Sequence, residues 1–395
     1  MAPPSATTSV GHSAYIPSGN GSTAPANARK DGAAATPPPS IPKTMRRWVV
    51  RDFTGPDGLE LEEVPMPELG PNDVLVKLSA ASLNYRDLVI ARGAYPWPLA
   101  SPTIPCSDGA GTVAAVGSAV SSFRPGDAVA TVMNGEHAAG QFDPRKHLQH
   151  VLGAGPMAGT LAEWAVFPAA YLIAAPANLG MLAAGTLACA GVTAWDALFG
   201  LEGKAPRPGD WVLTMGSGGV SCFAVQFAKA AGAKVIATTS SEAKAQRLRA
   251  LGADHVLNYR ETPDWGAAAA ALTPDGGAGV DLVVEVGGAT TLKQSLAAVK
   301  PGGVVSLVGF RGGAADQTEE EPRLLDMFFR FCVMRTSFVG PRTQYEAMNR
   351  VIEALDVQPV VDERVFGFEE AREAFRYMEG QGHFGKVCVR IGESE

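Results

Sequence analysis

The sequence is poor in charge, has no pattern of paired cysteines and contains no long apolar run, and each shortage removes a class of protein. Charged residues make up 18% of the chain, and a net charge of −7 provides no broad basic field for phosphate backbones, so nucleic-acid binding is not expected. No uninterrupted apolar stretch approaches the roughly 20 residues that cross a bilayer, so no membrane span is expected either. The five cysteines, Cys106, Cys189, Cys222, Cys332 and Cys388, show no C-x-x-C spacing and an odd count. A disulfide framework is therefore not expected, and a reducing, cytoplasmic setting is. Residues 1–43 lack glutamate, carry Arg29 as their only arginine and consist largely of Ala, Pro, Ser, Thr and Gly. Such a segment buries too little apolar surface to fold and has no signal-peptide core, so it reads as a disordered tail whose low acidity leaves an import role open.

What remains is ample material for folding. Hydrophobic residues make up 46% of 395 positions, more chain than one core usually holds, which suggests two globular units beside the tail. From Arg46 onward come short β-branched runs, Trp48-Val49-Val50, Val74 to Leu78 and Gly111 to Val116, separated by Gly, Pro and Asp turns. Past Pro176 the pattern becomes strands alternating with longer helices: Trp211 to Thr214, a helix near 219–231, Lys234 to Ala237, and a helix near 242–252. Later strands are expected at 255–257, 282–285, 304–308 and 337–339, then two helices and a strand at 386–390. That alternation predicts a parallel sheet with helical crossovers.

Directly after the strand Val212-Leu213-Thr214 stands Gly216-Ser217-Gly218-Gly219-Val220-Ser221, opening a helix. Small residues there let the backbone turn sharply and bring helix N-terminal amides against a pyrophosphate, with Ser221 in place of a third glycine. An NAD site wants a carboxylate about twenty residues downstream to bond the ribose 2′-hydroxyl. This chain has Ser240 and Ser241 there, followed by Lys244, a set suited to a 2′-phosphate and hence to NADPH. The competing reading makes a serine the cap of the next helix and Lys244 a solvated side chain. Tyr259 could add a hydroxyl or be a surface aromatic.

Several stretches taken in order resemble the medium-chain dehydrogenase/reductase superfamily, and its zinc-free quinone-oxidoreductase branch in particular. They are Leu83-Asn84-Tyr85-Arg86-Asp87-Leu88 with Gly93-Ala94-Tyr95-Pro96, Asp108-Gly109-Ala110-Gly111, Phe123-Arg124-Pro125-Gly126-Asp127, Ala188-Cys189-Ala190-Gly191-Val192-Thr193, the glycine loop, and Gly382-His383-Phe384-Gly385-Lys386. The resemblance implies an α/β fold: a doubly wound Rossmann sheet plus a GroES-like β-rich catalytic domain, with the active site in the cleft between them. The division it implies is a tail at 1–43, the first part of the catalytic domain at 44–172, the nucleotide-binding domain at 173–335, and a segment at 336–395 that completes the catalytic domain.

Where the zinc enzymes of that superfamily carry a ligating cysteine followed by histidine, this chain has Asn84-Tyr85, and where they carry Gly-His-Glu it has Cys106-Ser107-Asp108. Only Cys189 matches a ligand, and one thiolate cannot hold a zinc that needs three protein ligands, so no metal is expected. The segment 133–158, where a structural zinc would sit, has no cysteine, and His137, His147 and His150 read as loop residues. The resemblance places Asn84, Tyr85 and Thr193 beside nicotinamide and substrate, with Tyr85 as proton or hydrogen-bond donor, and adds Gly309, Phe310, Phe384 and Lys386 as cofactor contacts. Hydride transfer from NADPH to a quinone, enone, aldehyde or ketone follows, with an NAD-linked alcohol dehydrogenase and a non-catalytic NADPH-binding protein as alternatives. A homodimer through an edge strand at 336–339 is also implied. The strip 324–332 reads as pocket lining, a subunit contact or a core helix.

Overall fold

In the sequence, the strands that begin near Val212, Val235, Leu282 and Val304 are apolar at consecutive positions, which means that both of their faces must be covered. The computed structural model, which describes residues 40–309 and 322–392, shows how. Six parallel strands, Trp211–Met215, Lys234–Thr239, His255–Asn258, Val280–Glu285, Val299–Leu307 and Val333–Thr336, lie side by side in the order third, second, first, fourth, fifth, sixth. Val212, Val235, Ala237, Leu282, Val284 and Val304 enter one core with Phe223 and Phe227 of the helix Gly219–Ala230. Their neighbours Leu213, Ile236, Val283 and Val305 enter another with Trp265 and Ala269 of the helix Trp265–Ala271. The order reverses between Trp211–Met215 and Val280–Glu285, and ligands of such sheets bind in the crevice at that switch point.

The second sheet has seven strands on its main path and branch, built around the long strand Asp73–Ser82. Asp108–Val116 pairs antiparallel on one side and Cys388–Arg390 on the other, so the end of the chain closes the sheet that its beginning opened. Val74, Val76, Leu78, Val113, Val129 and Phe167 fill its core together with Phe375 of the helix Ala371–Glu379 and with Val387 and Val389. Among the described residues no helix is long and apolar enough to cross a membrane.

Three expectations need comment. The edge strand expected at 336–339 occupies Val333–Thr336 instead. Ser337 Oγ donates to Asp196 Oδ2 at 2.5 Å and Val339 takes a left-handed φ of 59°, so the chain leaves the sheet where the strand was expected to run. In the strip 324–332 only Leu324–Phe328 is helical, and Leu324 is 79% and Phe328 62% exposed, which rules out a core helix. Most of the expected tail, residues 1–39, lies outside the described residues, as does Phe310.

Candidate active site

The glycine loop connects the strand Trp211–Met215 to the helix Gly219–Ala230. Gly216 has φ 73°, a left-handed turn that favours glycine, and its N–H donates to Thr238 O of the neighbouring strand at 2.8 Å. Ser221, in the place of the third glycine, is buried and donates its hydroxyl back to Met215 O at 2.5 Å, so its polarity is spent on fixing the turn. Ser217 O accepts from Gly385 N at 2.8 Å, which ties the loop to the C-terminal segment. At Gly219 a Cβ would stand 2.4 Å from Lys386 Cδ; the glycine is required because the lysine stem crosses the loop there. Gly218, Gly219, Val220 and Ser221 form one wall of a cleft of about 220 Å³, and helix N-terminal amides beside such a cleft suit a pyrophosphate.

At the inner end of the cleft four charged side chains interlock. Lys386 is 3% exposed, and its ammonium donates to Leu83 O at 2.9 Å, Asn84 Oδ1 at 2.5 Å and Asp108 Oδ2 at 3.0 Å. Burial is the largest influence on this ammonium and lowers its pKa, but Asp108 and the neighbouring sulfurs of Cys189 and Cys388 together turn the net displacement upward. Arg86 and Asp87 follow within the helix Tyr85–Ala91; the Asp87 carboxylate accepts the Asn84 N–H at 2.8 Å and meets Arg86 Nη1 at 3.3 Å. Asp87 is wholly buried, and burial pushes its carboxyl up to about 6 against the opposing pull of Arg86. Cys189 shares the cleft; burial pushes its thiol up to about 12, so it is protonated at neutral pH. Asn84, Tyr85 and Thr193, the expected catalytic residues, all line this cleft, as do Gly309 and Lys386.

The far end of the expected site is built differently. Ser240, Ser241 and Lys244 follow the strand Lys234–Thr239, and Tyr259 follows His255–Asn258, so all four gather at the C-terminal edge of adjacent strands. Ser241 caps the helix Glu242–Leu251, its hydroxyl accepting from Lys244 N at 3.3 Å, while Lys244 Nζ donates to Gln381 O at 3.0 Å. Tyr259 is 41% exposed. None of the four enters the cleft lining. Phe384 does not line the cleft either: its ring is buried in the core beneath the Arg247 guanidinium, 4.1 Å away, while its neighbours His383 and Gly385 take lining positions.

Sequence reasoning passed over Arg86 and Asp108 as functional residues, along with the aromatic wall. Tyr95 meets Trp97 edge to face at 5.0 Å, and Trp97 meets Phe338 at 5.6 Å. Phe338 is held there by the neighbouring Ser337, whose partner Asp196 also pairs with Arg335 at 2.7 Å. The signal available was a charged Arg-Asp pair close before the apolar run Leu88 to Ala91. The His137 ring is tilted by 31° against that of His147 with centroids 4.7 Å apart, and its Nε2 lies 3.0 Å from Gly140 O. No group of three or more metal-ligating side chains is assembled among the described residues.

The comparisons agree with this architecture. Residues 70–177 match the family model of the alcohol dehydrogenase GroES-like domain, and residues 219–354 match that of zinc-binding dehydrogenases. A zinc-type alcohol dehydrogenase-like protein of Schizosaccharomyces pombe is 42% identical over 87% of this chain and 99% of its own length. An NADPH-dependent alkenal/one oxidoreductase of Arabidopsis thaliana is 31% identical over 89% of this chain and 80% of its own. The crystal structure of an alcohol dehydrogenase from Sinorhizobium meliloti superposes with a TM-score of 0.81 at 37% identity, covering 89% of this chain and all of that one.

Proposed function

Because the chain belongs to the medium-chain dehydrogenase/reductase superfamily of NAD(P)-dependent oxidoreductases, we propose that it is a zinc-independent member that uses NADPH to reduce an enone, quinone, aldehyde or ketone. The observation that carries the zinc-free part is the Lys386 ammonium. It is bonded to Asn84 and Asp108 and lies within electrostatic reach of Cys189, one residue from each of the three stretches that correspond to the superfamily's zinc-site sequence. A fixed buried cation repels a second cation, and an amide, a protonated thiol and an already paired carboxylate make a poor donor set for zinc. The residues do not fit the metal.

They do fit a dinucleotide. The amides of Gly218 to Ser221 would hold its pyrophosphate, Thr193 and Gly309 its nicotinamide end, and Ser240, Ser241 and Lys244 a ribose 2′-phosphate. Support for NADPH over NADH is the cation and hydroxyls at the end of Lys234–Thr239, and the Arabidopsis relative is NADPH-dependent by name. When bound, the reduced nicotinamide supplies hydride. This chain positions the acceptor against it: Lys386 fixes the Asn84 amide, the wall of Tyr95, Trp97 and Phe338 excludes water, and Tyr85, which lines the cleft, donates a proton. An apolar wall with few polar groups suits a flat, weakly polar acceptor. A homodimer joins at the edge strand Val333–Thr336, supported by the exposed Leu324, Leu325, Phe328, Phe329 and Phe331 beside it.

The test is cofactor consumption by purified protein over a panel of quinones, enones and aldehydes. The expected result is NADPH oxidation with at least one acceptor class and a higher KM for NADH. Tight NADPH binding without turnover of any of them would overturn the enzymatic reading.

A further inference from the structure

Of the lysine and the arginine that line the cleft, only the arginine has donors left to give. An ammonium has three N–H bonds, and all of those on Lys386 are spent, on Leu83 O, Asn84 Oδ1 and Asp108 Oδ2. Arg86 is different. Its side chain is 10% exposed, its Nη1 meets Asp87, and its Nε and Nη2 are buried with no hydrogen-bond partner. Buried charged donors left without acceptors are costly and rare. The Tyr95 ring centroid lies 5.4 Å from the guanidinium carbon, and the Tyr95 hydroxyl is near enough to favour the charge but outside hydrogen-bonding geometry with Nε and Nη2. Nε and Nη2 form the side edge of the guanidinium fork, whose parallel N–H bonds receive oxygen. Asp87 on the other arm keeps the group oriented, and the Cys189 thiol, being protonated, does not compete as an anion.

We propose that the Nε and Nη2 edge of Arg86 binds the reducible oxygen of the acceptor and carries its charge during reduction. The proposal rests on the reading of the cleft as a reductase site and names the residue that does there what a metal does in the zinc enzymes. As the acceptor carbon gains hydride from the reduced nicotinamide, which is thereby oxidised, the C=O π pair moves onto oxygen. For an enone the hydride reaches the β-carbon and the pair moves through the conjugated system to the same atom. The alkoxide or enolate so formed is held by the fork until a proton from Tyr85 or from water neutralises it. Arg86 is then a catalytic residue.

The experiment uses the full-length protein with Arg86→Lys, Arg86→Gln and Arg86→Ala, measuring NADPH binding by fluorescence and steady-state reduction of an acceptor turned over by the parent protein. Arg86→Lys retains a cation for Asp87 and serves as the variant expected to fold. The expected result is a fall in kcat of about 100-fold or more in every variant, as for loss of an oxyanion donor. NADPH affinity should stay within about 2-fold, and added guanidinium should restore part of the activity of Arg86→Ala but not of Arg86→Gln, where the amide fills the space. Unchanged kcat in Arg86→Lys and Arg86→Gln overturns the proposal, and so does parallel loss of NADPH binding and turnover without rescue. A parent protein that neither binds nor oxidises NADPH refutes the reductase reading itself, a result separable from these because it precedes any substitution.

Discussion

The two ends of the candidate dinucleotide site are built on opposite principles. At the inner end Lys386, Asp108, Asn84 and Asp87 are buried, Arg86 is nearly so, and they share partners, so that each fixes the next. At the outer end Ser240, Ser241, Lys244 and Tyr259 sit at the C-terminal edge of two adjacent strands, half-buried or exposed, and hold mostly backbone partners. Interlocked buried charges respond to substitution as a unit, whereas separated surface groups respond one at a time. The chemistry is thus tied to the fold at one end, and the choice of cofactor is free to vary at the other.

The largest effect expected from this contrast comes from breaking the inner pair. Lys386→Met leaves the Asp108 carboxylate buried without its cation, which should cost about 3–5 kcal/mol of stability in denaturant unfolding, and adding Asp108→Asn should recover part of it. A loss below about 1 kcal/mol would mean that the network is not interlocked. The next effect is a pH dependence. The folded Asp87 carboxyl titrates near 6 and an ordinary aspartate near 3.8, so folding favours the protonated form. The stability this group contributes is full below the unfolded value and is lost as pH rises through about 6. Asp87→Asn does not titrate. The unfolding free energy of the parent protein minus that of the variant should therefore fall by up to about 3 kcal/mol between roughly pH 4 and 7, and a flat difference would contradict the assignment. The smallest effect belongs to the outer end, where Lys244→Ala should raise the KM for NADPH about 5-fold, the worth of roughly 1 kcal/mol at a partly exposed charge, and leave that for NADH unchanged. Equal changes for both cofactors would remove Lys244 from phosphate recognition.

How far the sequence could be read follows the same division. The parallel sheet was legible because Val212, Val235, Leu282 and Val304 carry their pattern locally, and the glycine loop because Gly216 to Ser221 lie between a strand and a helix. The inner network was not. Lys386 reaches Asp108 across 278 positions, and nothing near Arg86 in the sequence reveals that two of its nitrogens end without acceptors. The place of the Phe384 ring was hidden for a similar reason, since its neighbours line the cleft while the ring itself turns into the core under Arg247. The edge strand at 333–336 was displaced by the Ser337 to Asp196 bond, a tertiary contact that β-propensity does not register.

The most direct test of a cleft in which a lysine ammonium stands at the zinc-site positions is elemental analysis of the purified protein coupled to NADPH turnover before and after exhaustive treatment with a zinc chelator. The expected result is zinc far below one ion per chain and a rate unchanged by the chelator. One zinc per chain, with activity lost on its removal and regained on its return, would contradict it.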